Sequence, residues 1–438
     1  MMKKAFILFI LNTIIHIVFV NVYAQNISPQ INTNKSVTFK LNMPNASEVF
    51  LKGSFVPKSF PVKTPVGMFG KEGKFQMKKN NGIWSYTTQP LESEMYTYFF
   101  EVDGKRMIDP NNKDSIRDVN TFFSSFIITG GIADDYIRQN VAHGNIEKIW
   151  YDSSIKDTPK RRMSIYTPPH YNKDKQERYP VLYLLHGSGG DENSWIEAGR
   201  AIEILDNLIA QKRCVPMIVV MPNGIANMAA APGENPYSDA KAKSTNIESM
   251  LGKIESAFVP DIVSYVESHY RVKATKQSRA IAGLSLGGLH TLFISANNPN
   301  HFDYVGLFSA QTTNALNDKN IGSAEKIAQG IENFVSVFPF LSKGKIGESI
   351  SSYTGGISSG DLSIYNNLDE RLKEQFKAPP QLYYIAVGKD DFVKKINDDF
   401  RLKLADKGYK YYYHETDGGH SWENWRKYLV DFLPKLFK

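Results

Sequence analysis

The tightest constraint in this chain is a short glycine-flanked serine. Gly283-Leu284-Ser285-Leu286-Gly287-Gly288 follows the apolar run Arg279-Ala280-Ile281-Ala282 and precedes a helical run from Leu289 to Asn297. A strand that turns directly into a helix bends sharply, and only glycines at the flanks let neighbouring backbone pass that closely. The serine at the centre is held in a strained conformation, with its hydroxyl raised above the sheet at a helix N-terminus. The five-residue string is common by itself. Its strand-to-helix context makes it a nucleophile elbow, with Ser285 as the nucleophile.

A serine hydroxyl is a poor nucleophile at neutral pH, so it needs a base, and the base needs a carboxylate to orient it. In this chain order the carboxylate comes next and the histidine last. The strand Leu382-Tyr383-Tyr384-Ile385-Ala386-Val387 ends in Gly388-Lys389-Asp390-Asp391, and a strand over 410–414 leads to Gly418-Gly419-His420-Ser421-Trp422. Both are loops at carboxyl ends of strands, where open α/β sheets carry their sites. His420 is the expected base. Asp390 and Asp391 compete for the carboxylate role, and Asp417 lies too near His420 along the chain. His143, His170, His269, His301 and His414 lack a glycine-rich loop at a strand end, and His290 lies inside the helix after the elbow.

Acyl transfer also needs donors for the oxyanion. Leu184-Leu185-His186-Gly187-Ser188-Gly189-Gly190 follows an apolar strand, and its glycines let amides turn toward a substrate carbonyl. The expected donors are the N–H of Leu286, just after the nucleophile, and that of Ser188. The Gly-x-x-x-x-Gly-Lys-Ser/Thr string of a phosphate loop does not occur.

Around these motifs, a hairpin (146–151 with 163–167), apolar strands at 179–185 and 217–222, and helices at 200–211 and 256–269 predict a parallel sheet buried on both faces. This α/β domain is expected over 145–438, after a linker at 131–144. From Ser36 to Gly130 the pattern is short β-rich runs separated by turns such as Asp103-Gly104 and Asp109-Pro110-Asn111-Asn112, which predicts a β-sandwich domain over 25–130. Residues 1–24 read as a signal peptide: Lys3 and Lys4, an apolar run broken by Asn12 and His16, and cleavage after Ala24. The expectation is a secreted or periplasmic protein without stable membrane insertion.

Composition adds exclusions. Over 438 residues the net charge is only +7, with no dense Lys/Arg stripe, so nucleic acid is not the expected partner. The single cysteine, Cys214, excludes an internal disulfide and a multi-thiolate metal site.

Four motifs in order, Tyr179 to Gly187, Ile281 to Gly288, Gly388-Lys389-Asp390-Asp391-Phe392, and Gly418-Gly419-His420-Ser421-Trp422 with Trp425, make 145–438 resemble the esterase D-like α/β hydrolases, which include feruloyl and acetyl xylan esterases. The family's carboxylate fits the fourth position of the Gly388 string, so the resemblance favours Asp391. Glu48 to Phe55, Gly82-Ile83-Trp84-Ser85 and Tyr96 to Gly104 resemble the glycogen-branching type of carbohydrate-binding module and its immunoglobulin-like relatives. There Trp84 and Tyr98 are either sugar platforms or core. The resemblance implies a secreted serine carboxylic-ester hydrolase, without metal or organic cofactor, that removes feruloyl groups from xylan. Acetyl xylan esterase, siderophore esterase and a non-catalytic glycan-binding protein are the alternatives. Trp195 and Trp422 are candidates to line an acyl slot, and the long 311–372 connection is a candidate lid or acyl pocket. Oligomeric state is left open.

Overall fold

The computed structural model describes residues 28–438 apart from 58, 65–66, 72, 119–120, 157, 174, 227–251 and 313–361. The signal-like segment and most of the 311–372 connection lie outside the described residues. Two compact units result, the main division falling between Asp134 and Asp135.

The first unit is all β. Strands Gln30–Ile31, Val37–Asn42, Ile83–Thr87 and Lys78–Asn80 form one sheet. Ser115–Asp118, Thr121–Ile127, Met95–Val102, Val49–Gly53 and Phe75–Gln76 are the main run of the other. Alternation builds the core: Val37, Phe39 and Leu41 are buried while the residues between them are partly exposed. The sheets face each other through contacts such as Phe39 edge-on to Tyr98, with ring centres 4.8 Å apart. Trp84 and Tyr98 both belong to this core. The Trp84 indole donates to the Met43 carbonyl at 3.0 Å, and the Tyr98 hydroxyl donates to Asp109 Oδ2 at 2.8 Å. Neither ring face is free to stack on a sugar, so the core alternative holds for both.

The second unit is built on an eight-stranded sheet. Its strands are β1 (Asn145–Asp152), β2 (Lys160–Thr167), β3 (Val181–Leu185), β4 (Ile218–Pro222), β5 (Arg279–Leu284), β6 (Tyr304–Phe308), β7 (Leu382–Gly388) and β8 (Tyr412–Thr416). The spatial order is β1-β2-β4-β3-β5-β6-β7-β8. β1 and β2 form an antiparallel hairpin, β2 joins β4 antiparallel, and all pairs from β4 to β8 are parallel. Every residue of β3, β4, β5 and β6 is buried, as parallel strands covered on both faces require. Helices α1 (Ala201–Ala210), α2 (Leu286–Asn297), α3 (Leu368–Gln375), α4 (Lys394–Asp406) and α5 (Trp422–Phe432) complete the layers. α2 is buried along all but its last residue, and so reads as apolar all round. The 131–144 stretch is no bare connection. It opens with a 3-10 turn, Ile132–Asp135, buries Tyr136, and bonds His143 Nδ1 to Asp206 Oδ2 at 2.8 Å.

Candidate active site

Ser285 sits between β5 and α2 with φ 53° and ψ −116°, a conformation that non-glycine residues rarely adopt. It persists because the surroundings over-determine it. The Ser285 N–H donates to Phe308 O at 2.9 Å, and its carbonyl accepts from Gln311 N at 3.2 Å. The flanking glycines are steric necessities: a Cβ on Gly283 would fall 2.3 Å from the Gly287 carbonyl oxygen.

Parallel register brings the other candidates to the same sheet edge. Leu284 pairs with Phe308, Phe308 with Ala386, and Ala386 with His414, so the chain leaves β5, β7 and β8 at adjoining carboxyl ends. The loop after β7 carries Asp391 with its carboxylate wholly enclosed, and the loop after β8 carries His420. Nδ1 of His420 lies 3.0 Å from Asp391 Oδ1 and 3.2 Å from Oδ2. Oδ1 also accepts the Val393 N–H at 3.0 Å, so the carboxylate is fixed from its own loop. The Asp390 N–H donates to Gly418 O at 3.0 Å, lacing the two loops together. Phe392 lies against the imidazole at 4.4 Å between ring centres, and Trp425 meets it edge-on at 5.0 Å.

Of the competing aspartates, Asp391 is the one brought to His420. Asp390 is exposed, and Asp417 is exposed and paired with Lys389 at 2.8 Å. A carboxylate on Nδ1 keeps the proton there and leaves Nε2 as the basic nitrogen.

The loop after β3 lies on the elbow. A Cβ on Gly187 would come 3.2 Å from Ser285 Cβ, and one on Gly287 would come 2.3 Å from the His186 carbonyl oxygen. Leu286 thus follows the nucleophile directly, and Ser188 follows Gly187, which packs against it from the loop after β3. Trp195 is enclosed, with 1% exposure and its indole N–H on the Leu185 carbonyl at 3.0 Å. It packs rather than lining an open slot. Trp422, edge-on to it at 5.4 Å between ring centres, is the half-buried member of the pair.

Sequence reasoning missed the frame behind this loop. Arg162 of β2 reaches Glu192 Oε1 with both Nε (2.5 Å) and Nη2, and Asn223 Nδ2 donates to Glu192 Oε2 at 3.1 Å. Both charged side chains are buried. The only trace in sequence is an acidic residue two positions past the glycine run. His186, buried beside them, is held well below the usual imidazole range, at about 4, chiefly by loss of hydration.

The family described as "Putative esterase" matches residues 158–436, which span the sheet from β2 to β8, the elbow and both loops. An endo-1,4-beta-xylanase/feruloyl esterase of Xylanibacter ruminicola is 32% identical over 297 residues, covering 65% of this chain and 36% of the relative. An acetyl esterase of Caldicellulosiruptor saccharolyticus is 25% identical over 270 residues, covering 61% of this chain and 87% of the relative. The chain thus spans only about a third of the first relative's length. In fold, the enterobactin esterase of Shigella flexneri superposes with a TM-score of 0.57 at 15% identity, over 91% of this chain and 92% of that one. A family match over most of the chain, on the unit that holds the elbow, leads to one conclusion: the protein belongs to this esterase family.

Proposed function

We propose that the chain is a secreted serine esterase that removes feruloyl groups from plant cell-wall xylan. The observation that carries the catalytic part is the bond between His420 Nδ1 and the enclosed Asp391 carboxylate at the sheet edge that bears Ser285. Ser285 attacks the ester carbonyl while His420 Nε2 takes its proton, and Asp391 holds the productive tautomer. The N–H groups of Leu286 and Ser188 stabilise the tetrahedral oxyanion. Among the described residues, the Ser188 amide donates to no backbone carbonyl, and Leu286, at the first position of α2, has no intrahelical acceptor for its N–H. His420 returns the proton to the departing sugar alcohol, and water repeats the sequence on the acyl-enzyme.

The substrate class is supported by the name of the Xylanibacter relative, an endo-1,4-beta-xylanase/feruloyl esterase. The Caldicellulosiruptor acetyl esterase favours acetyl as the second reading. The two differ in the acyl slot, since a phenolic acid needs an apolar cavity and acetate needs almost none. We assign 25–130 to an immunoglobulin-like carbohydrate-binding module and 1–24 to a signal peptide on their sequence patterns.

Ser285→Ala is expected to abolish turnover of methyl ferulate and of an aryl acetate while leaving the fold intact. Substantial residual turnover would remove Ser285 from the mechanism. Chromatography of the acids released from arabinoxylan distinguishes ferulate from acetate.

A further inference from the structure

The tautomer of His186 is dictated by its neighbours. The Gly224 N–H lies 2.8 Å from Nε2, so that nitrogen is the acceptor and the ring proton is on Nδ1. Nδ1 in turn lies 2.7 Å from the carbonyl oxygen of the next residue, Gly187. The Gly190 N–H donates to the same oxygen at 3.2 Å. A trans peptide is planar, with its C=O and N–H directed oppositely. Two donors on the Gly187 oxygen therefore turn the Ser188 N–H to the other side of that plane. The peptide concerned is the one beside the nucleophile, as the 3.2 Å approach of a Gly187 Cβ to Ser285 Cβ shows.

The far side of the imidazole is anchored as firmly. Gly224 belongs to the loop after β4, and the buried Arg161 holds that loop by three carbonyls: Nη2 to Asn223 O at 2.8 Å and Ile225 O at 3.0 Å, Nη1 to Ala226 O at 2.7 Å. Asn223 is tied through its side chain to Glu192, and Glu192 to Arg162. The ring is a strut between this fixed loop and one peptide bond.

We propose that His186 is a positioning residue of the esterase, aiming the Ser188 N–H at the developing oxyanion by holding the Gly187 carbonyl. The inference rests on the serine-esterase reading above and adds to it the side chain that sets one of its donors. The strut is neutral near neutral pH, because burial holds its protonation well below that range.

The two ring nitrogens can be tested separately, since an asparagine amide nitrogen overlies Nδ1 and a glutamine amide overlies Nε2. Rates for His186→Asn and His186→Gln are measured per active site, titrated with a fluorophosphonate, so that misfolded protein does not count. His186→Asn keeps the donor to Gly187 and is expected to stay within about threefold of wild-type kcat. His186→Gln keeps only the Gly224 contact and is expected to lose about 10–100-fold in kcat with KM nearly unchanged, part of the cost of a lost oxyanion donor. A trifluoromethyl ketone analogue should weaken by the same factor, while ferulate, as product, binds as before. A second arm leaves His186 intact and replaces the Gly187–Ser188 amide by an ester, which removes the N–H and also weakens the Gly187 carbonyl as an acceptor; a fall at least as large is expected.

Wild-type kcat in His186→Gln, an equal loss in His186→Asn, a fall in kcat without weaker analogue binding, or full activity of the ester variant would each overturn the proposal. Wild-type protein that neither hydrolyses esters nor takes phosphonate at Ser285 would overturn the esterase mechanism itself, a distinguishable result.

Discussion

Asp391 meets His420 across two loops, Oδ1 to Nδ1 at 3.0 Å, with the carboxylate sealed from solvent and the imidazole almost so. Exchanging that acceptor for a donor should reverse the tautomer. Asp391→Asn is therefore expected to lower kcat on methyl ferulate by about 10³–10⁴-fold with little change in melting temperature. Asp390→Asn, whose native side chain is exposed, should stay within about twofold. Steady-state kinetics on the two variants checks the assignment, and equal losses would contradict it.

The Arg162–Glu192 pair is buried, so removing one partner strands the other's charge. Arg162→Met is expected to destabilise the protein by about 3–5 kcal/mol in chemical denaturation. Arg162→Met with Glu192→Leu should recover most of that loss, because the double change leaves no charge uncompensated.

His186 gives stability a predictable pH dependence. Its folded pKa, about 4, lies below the unfolded value of 6.5. Its contribution is fully present above pH 6.5 and is lost as pH falls toward 4, since only the unfolded chain takes up the proton in that window. At about 1.4 kcal/mol per unit, the wild type should lose about 3 kcal/mol more than His186→Gln between pH 7 and pH 4. Urea titrations at both pH values measure the difference.

Trp195→Ala is expected to cost about 3–5 kcal/mol, as a large side chain removed from a closed site. Trp422→Ala should cost less, because its ring is only half-buried. Thermal melts of the two variants make the comparison.

The parts legible in sequence are those where local chemistry admits few solutions. The bend at Ser285 needs small neighbours because backbone approaches to 2.3 Å of where a side chain would begin, and that demand is written as glycines. The strands β3, β4 and β5 are legible as apolar runs because both faces are covered, whereas β6, equally buried, is not singled out. Adjacent aspartates, by contrast, are chemically identical, and only the loop's path decides that Asp391 turns inward. A tryptophan near a glycine loop looks the same whether it lines a slot or fills one, so Trp195 was undecidable. The edge strand β8 occupies Tyr412–Thr416 rather than 410–414, because its half-exposed residues carry no sharp alternation. α2 begins at Leu286, three residues before the expected start, since Gly287 and Gly288 mask the helical pattern. Arg162 and Glu192 lie 30 positions apart, beyond any local signal.

The enclosure of α2 bears on how such an enzyme changes its tastes over time. A helix hemmed in along nearly its entire length cannot tilt or slide to welcome a bulkier acid without disrupting the interior. New preferences must come from the connecting loops at the rim, while the serine's perch is inherited unaltered.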